Sequence, residues 1–350
     1  MATWRDLGLP REAEVWRELR GLRSGVAGPA GSNPQRRSVF NASLEQTQQF
    51  TEAAANAGPA TRPVQIFYAF SQFGRAISAA SRLTVGIEWR LKGHGIGTRN
   101  LDASKGLAAV GVTPTAKGSL PGVARALGVP SFEAGAEINL GQLWPLIPET
   151  HGVPLPGVDG VKAMYMSQSG VRYEEGQGWA QVHVMPVSNR VRQAAERDPA
   201  TLETFLARYP TLDGWSRKEI AGAQAVSWEE QSNGFQQKLI IYVPDEKGGP
   251  EARDGGRATV RAKATAYRGP DDLFLFPSIG AMQEPIHPLL VWWALLFSLS
   301  MLARYEPEHW ASIVDIDHSS DANAVEHLLD EAVAVVPHLA LLAIQEVAGP

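Results

Sequence analysis

The sequence predicts an α+β fold in which both chain ends form one helical bundle and a β-rich antiparallel insertion lies between them. Three observations point there. The sixteen residues from Pro288 to Ala303, PLLVWWALLFSLSMLA, carry no charge. Helical apolar spacing recurs on both sides of the middle, and the middle itself has period two. The expected parts are 35–100 for the first half of the bundle, 101–285 for the β-rich middle and 286–350 for the second half.

The run at 288–303 must be buried almost all round. It falls short of the roughly 20 apolar residues that span hydrocarbon, and Ser298 and Ser300 interrupt it, so a buried helix is expected rather than a membrane span. Upstream, Pro63 suits a first helical turn, where a missing N–H costs nothing. Ile66, Phe70, Phe73 and Ile77 follow at intervals of four, three and four, with Val64, Phe67 and Tyr68 as a second stripe. Two stripes make a wide apolar face, which suits a central bundle helix running to about Trp89. The polar, Ala-rich stretch from Ser38 to Ala57 is expected to be helical, and Gly58-Pro59 ends it. Residues 1–23 suggest a short amphipathic helix holding Trp4, Val15, Trp16 and Leu19, followed by a Gly/Pro-rich connection at 25–34.

In the middle, 161–167, 179–187, 238–244, 257–268 and 273–277 read as strands. A helix is expected from Asn189 to Arg208, ending before Pro210. The loop at 246–256 is expected to be an exposed hairpin tip. Near the end, Ser319 or Ser320 can cap a helix beginning near Asp321. Val325, Leu328, Leu329, Ala332, Val333 and Val336 keep helical spacing, and Pro337 is expected to close it before a last short helix. Neither end has enough faces to bury 288–303 alone, so the two ends should pack together.

Bulk properties narrow the function classes. Hydrophobic content of 44% and charged content of 20% suit a folded chain. A net charge of −5 argues against a globally basic nucleic-acid binder and leaves room for a local basic patch. There are no cysteines, which removes disulfides, thiolate nucleophiles and cysteine-ligated metals. The charged N-terminus lacks an apolar signal core, so a cytoplasmic location is expected. No cofactor and no membrane partner are expected.

Three constellations carry chemistry. Arg304 and His309 bracket the exit of the apolar helix: His titrates near neutrality and Arg forks onto phosphate oxygens. That pair suits metal-free RNA cleavage, which needs a base and a fixed cation. Equally, Arg304 can serve only to face the helix dipole, and His309 to pack near Trp310. The turn Gly93-His94-Gly95-Ile96-Gly97 can present backbone N–H groups to phosphate, with His94 sparsely covered, or it can be a plain helix-ending turn. Asp315, Asp317, His318 and Asp321 contain metal-ligand chemistry but match no established loop, and a polar loop before a helix cap explains them as well.

The helix RPVQIFYAFSQFGRAI, the GHGIGTR turn at 93–99 and HPLLVWWALLFSLSMLARYEPEHW together resemble the YaaC-like proteins, a bacterial group. The resemblance is carried by the two helical ends and brings no reaction with it. Arg304, four residues, then His309 also resembles the HEPN superfamily, although Tyr305 and Pro307 depart from its common form. That second resemblance implies catalytic roles for Arg304 and His309, and His94 is a further candidate because its flanking glycines leave the imidazole little cover. It also implies an RNA or nucleotide partner and a homodimer. The expected function is therefore metal-independent RNA cleavage or a nucleotide response, with a non-catalytic binding or scaffolding role as the alternative.

Overall fold

The computed structural model describes residues 11–26, 28–173, 179–212, 226–230, 236–244 and 264–349. In chain order the helices are α1 (Glu12–Ser24), α2 (Pro29–Ser32), α3 (Pro34–Ala55), α4 (Arg62–Ala80), α5 (Ser119–Leu127), α6 (Leu140–Leu143), α7 (Asn189–Arg197), α8 (Pro199–Leu206), α9 (Pro288–Tyr305), α10 (Pro307–Ile313) and α11 (Ala322–Ala348). The strands are β1 (Ile96–Arg99), β2 (Gly111–Pro114), β3 (Ile138–Asn139), β4 (Met164–Tyr173), β5 (Trp179–Ser188), β6 (Val226–Glu230), β7 (Gln236–Pro244), β8 (Thr265–Ala266) and β9 (Leu273–Leu275). The chain is α+β and divides into two compact units. One joins residues 1–161 to 286–350, and the other holds 162–285.

The first unit is the bundle made from both chain ends. Its axis is α9, where Leu290, Val291, Trp292, Trp293, Leu295 and Leu296 are all fully buried. Each such side chain contributes roughly 1.5–3 kcal/mol. The two buried serines keep their hydroxyls satisfied within the helix: Ser298 donates to the Ala294 carbonyl at 2.9 Å and Ser300 to Phe297 at 2.8 Å. Helix α4 touches α3, α9, α11 and α5, the central position its two stripes predict. Close approach of α4 and α9 depends on Gly74. A Cβ there would stand 2.5 Å from the Trp293 ring and 2.9 Å from Val123. Trp293 meets Phe70 edge-on at 5.6 Å and Phe67 at 6.2 Å, an arrangement the ring quadrupoles favour.

Helix α4 stops at Ala80, nine residues before the expected end at Trp89. The cause is Arg36 of α3, which is 6% exposed. Its guanidinium donates to the carbonyls of Ser81 at 2.9 Å, Thr84 at 2.6 Å and Ala79 at 3.4 Å. Ser81 turns to extended backbone and donates to the Ala126 carbonyl at 2.7 Å. The β-branched Thr84, Val85 and Ile87 that follow do little to hold a helix.

Helix α11 runs through Pro337 to Ala348, so the expected break does not occur. Val335, Val336 and Ala340 are buried on either side of the proline, and packing outweighs one missing backbone bond. The ring of His338 bonds the Ala334 carbonyl at 2.9 Å in the same stretch. The N-cap is Asp321, with no side-chain cap, so neither serine caps the helix; Ser319 Oγ instead accepts from the Asp321 N–H at 3.2 Å. The connection at 25–34 contains the turn α2, and Asn33 caps α3 by accepting from Gln35 and Arg36. In α1, Val15, Trp16 and Leu19 are buried as expected, while Trp4 lies outside the described residues.

Residues 101–161 also belong to this unit. They add β2 and β3, which complete an antiparallel sheet with β1, and α5, which packs on α4. Sequence reading places them with the middle because short strands rich in Gly and Pro look alike wherever they pack. Among the described residues, α9 and α11 are both long and apolar enough to cross a membrane. Of their apolar windows, 78% and 67% respectively are buried inside the protein.

The second unit is a sheet of order β6-β7-β5-β4-β9-β8, antiparallel throughout. Strands expected at 161–167, 179–187, 238–244 and 273–277 are present as β4, β5, β7 and β9. Of the one expected at 257–268, Thr265–Ala266 forms β8, and 257–263 lie outside the described residues, as does the loop at 246–256. The single helix expected at 189–208 is broken into α7 and α8. Pro199 holds Asp198 in extended backbone, and the Asp198 carboxylate caps α8 by accepting from Ala200 N–H at 3.0 Å.

Two substitutions test this packing. Gly74→Ala should destabilise the bundle by about 1–3 kcal/mol through overpacking against Trp293, whereas Gly58→Ala, where a Cβ meets nothing, should leave the melting midpoint within about a degree of wild type. Arg36→Met should strand three carbonyls and cost on the order of 3 kcal/mol in urea unfolding. Equal midpoints for Gly74→Ala and Gly58→Ala would refute the packing argument.

Candidate functional site

The site is built where α4 has ended. Residues Ser81–Lys92 leave the α4 terminus held by Arg36, and Trp89 packs beneath two guanidinium groups: Arg36 at 5.6 Å and Arg90 at 4.9 Å from its ring centre. Arg90 also donates to Gln35 Oε1 of α3 at 2.8 Å. The turn then bends through Gly93 and Gly95, both with positive φ. A side chain at Gly95 would strike Pro121 at 2.6 Å and the backbone of Gly118 and Leu120 at 3.0 Å, so glycine is required for two backbones to meet.

That meeting settles where the turn's polar groups go. Ser119 N–H donates to Gly93 O at 3.2 Å, Leu120 N–H to His94 O at 3.0 Å, and Thr115 N–H to Gly95 O at 3.0 Å. Gly97 is already in β1, paired with Thr113. The turn is therefore joined to the start of α5 and to the segment before it through its carbonyls.

His94 is displayed by this turn. The residue is exposed overall, yet its ring lies against Phe67 of α4 at 5.7 Å and Phe297 of α9 at 5.4 Å. Burial on that aromatic face lowers its pKa from the ordinary 6.5, and the charges of Arg304 and Arg75 lower it further. The imidazole is thus mainly neutral at pH 7. Arg304 stands two turns beyond Phe297 and lies over the Tyr305 ring at 4.8 Å, donating to its hydroxyl at 2.8 Å. Of the residues singled out by sequence, the structure brings His94 and Arg304 into one electrostatic neighbourhood. His309 is exposed on α10, with Nδ1 3.3 Å from Glu306 Oε2. Among the described residues no hydrogen bond joins Arg304 to His309.

Three cations the motif reading did not select complete the site: Arg75, Arg90 and Lys92. They line a cleft of about 740 Å³ together with Ser38, Val39 and Trp89. Nε of Arg75 is buried and has no hydrogen-bond partner among the described residues. Leaving a charged donor unmade inside a protein costs roughly 1–3 kcal/mol or more. Neither Arg75, Arg90, Lys92 nor Arg304 has a carboxylate partner among the described residues. Arg75 had one signal in sequence: it is the only charge between Pro63 and Ala80. Arg90 and Lys92 had none, because their convergence with Arg75 depends on the path of the chain after Ala80.

The acidic loop before α11 is satisfied internally. His318 bonds Asp315 at 2.9 Å, and Asp315 accepts from Asp317 N–H at 3.0 Å. Burial holds the Asp321 carboxyl above its usual range, although bonds from Leu107 N–H and Ser320 pull the other way. No group of three or more His, Asp or Glu side chains is placed to hold a metal among the described residues.

Two pH effects follow. A histidine NMR titration should place His94 below 6.5, and Arg304→Ala should raise it, since one of the depressing charges is gone. No rise in that variant would remove Arg304 from the site. His287, which caps α9 by accepting from Leu289 N–H at 3.2 Å, is pulled by burial down to about 4. A histidine depressed in the folded state binds its proton first when unfolded. Its stabilisation is therefore full above 6.5 and is lost as pH falls towards 4. The unfolding free energy of His287→Asn should depend less on pH across that window.

A family model described as YaaC-like protein matches residues 23–344 of this chain. The match runs through the middle as well as the two helical ends that carried the likeness in sequence. No curated protein and no solved structure matches. The chain belongs to the YaaC-like family.

Proposed function

We propose that this protein binds a phosphate-bearing ligand, RNA or a nucleotide, in the cleft beside His94. The observation that carries this reading is that Arg75, Arg90 and Lys92 share one cleft without carboxylate partners among the described residues, while the charges of Arg304 and Arg75 both act on His94 beside it, in a chain whose net charge is −5. Uncompensated cations that share one cleft repel one another, and a bound anion relieves that repulsion. Guanidinium groups fork onto phosphate oxygens, and the neutral imidazole of His94 can donate one further bond. The HEPN-like spacing of Arg304 and His309 fits such a ligand, and with it a cytoplasmic homodimer.

One observation favours a catalytic version of the same reading. His94 has a lowered pKa and stands near two arginines, which suits a general base beside charge-stabilising groups. In RNA cleavage, His94 or the exposed His309 would take the 2′-hydroxyl proton. The 2′-oxygen would then attack the adjacent phosphorus while Arg304 and Arg75 balance the phosphate charge. The 5′-oxygen would leave taking a proton from solvent water or from the protonated histidine, giving a cyclic phosphate and a free 5′-hydroxyl. The non-catalytic version uses the same cations without the transfer.

Binding is tested by titrating a fluorescent mononucleotide at low salt. Arg304→Ala should weaken it about tenfold, equivalent to ~1.4 kcal/mol, with an unchanged melting temperature. Undiminished affinity would overturn the proposal. Turnover of a mixed RNA pool in the presence of chelator, by wild type, His94→Ala, His309→Ala and Arg304→Lys, then separates the two versions. Cleavage lost in one histidine variant assigns the base, and binding without cleavage in wild type leaves a binding protein.

A further inference from the structure

The cleft beside His94 does not stand alone. Arg90, Leu91 and Lys92 also line a second cleft of about 420 Å³, which is lined further by Ile87, Lys117 and Arg125. Lys117 sits just before α5, its backbone carbonyl fixed by the Thr115 hydroxyl at 2.8 Å, in the segment that meets the Gly93–Gly95 turn. The two clefts share Arg90, Leu91 and Lys92 as a common wall, with Arg75 lining the first and Lys117 and Arg125 lining the second. Among the described residues Glu88 is the only carboxylate lining either, and at 3.9 Å from Arg125, with both side chains well exposed, it offsets little of that charge.

The second cleft is also lined by the apolar Ile87. Leu83, Val85 and Ile87 are 55%, 67% and 79% exposed at alternate positions of the segment that forms it. Arg90 is exposed and lies over Trp89 at 4.9 Å from the ring centre, and a guanidinium plane is a surface on which a base can stack. A row of cations interleaved with apolar and stacking surface suits a chain whose phosphates and bases are both accessible, which a duplex does not offer.

We propose that the two clefts form one track for a single-stranded polynucleotide. One phosphate lies at Arg75, His94 and Arg304, and the strand crosses Arg90 and Lys92 to reach Lys117 and Arg125. This rests on the phosphate-binding reading above and deepens it, because a lone nucleotide needs only the first cleft.

The test is fluorescence anisotropy with labelled uridine mononucleotide, tetramer and dodecamer. Affinity should rise with length. Lys117→Ala/Arg125→Ala, at two exposed positions, should weaken the dodecamer about tenfold and leave the mononucleotide unchanged. The same variant should reduce the salt slope of dodecamer binding by about 1.4, the release expected for two phosphates of a single strand. A dodecamer no tighter than the mononucleotide, or bound equally by the double variant, overturns the track. Inorganic polyphosphate of equal charge competing as well as the dodecamer overturns the nucleic-acid assignment. If the mononucleotide still binds and Arg304→Ala weakens it about tenfold, the phosphate site survives that failure. If no probe binds the wild type, both fall.

Discussion

The constraint on which the bundle depends is the complete burial of α9. A helix whose sixteen leading residues carry no charge has no face to give to water. Other elements must surround it, and α4 comes close only because Gly74 leaves room for the Trp293 ring. Once that contact is made, Phe67 and Phe70 settle around the indole, and Phe297 packs against Phe67. The two ends of the chain are thereby held together across the residues that separate them.

The same packing positions the candidate site. Phe67 and Phe297 belong to the α4–α9 contact, and their outer surfaces carry the His94 ring. Arg304 leaves α9 at the point where the buried run ends, so the helix that fills the core also delivers a cation to its rim. Arg75 comes from α4, one residue beyond the glycine that admits Trp293. Core and site therefore share two helices, and the site's geometry is as firm as their contact.

Arg36 links the bundle to the cleft in a different way. Its buried guanidinium takes three carbonyls around the end of α4 and lies over Trp89. Burial lowers its pKa, yet the hydrogen bonds and the indole face compensate the charge where no carboxylate does. By ending α4 at Ala80 it frees Ser81–Lys92 to form the wall that Arg90 and Lys92 line. The family match extends over this whole region.

By itself the sequence determined that α9 and α4 are buried helices, that the middle is an antiparallel sheet, and that Arg304 lies at a helix exit. Each of these is local: a run without charge, a spacing of three and four, an alternation of two. The glycine turn at His94 was also visible, but not its purpose, since close approach to Gly118 joins residues more than twenty apart. Tertiary structure alone decided that α4 ends at Ala80, because the group responsible, Arg36, lies on another helix. It alone carried α11 past Pro337, since burial on either side outweighs one lost backbone bond. It alone gathered Arg75, Arg90 and Lys92 beside His94 and Arg304, because cations drawn from α4, α9 and the chain after Ala80 have no common spacing in sequence and converge only when the helices pack.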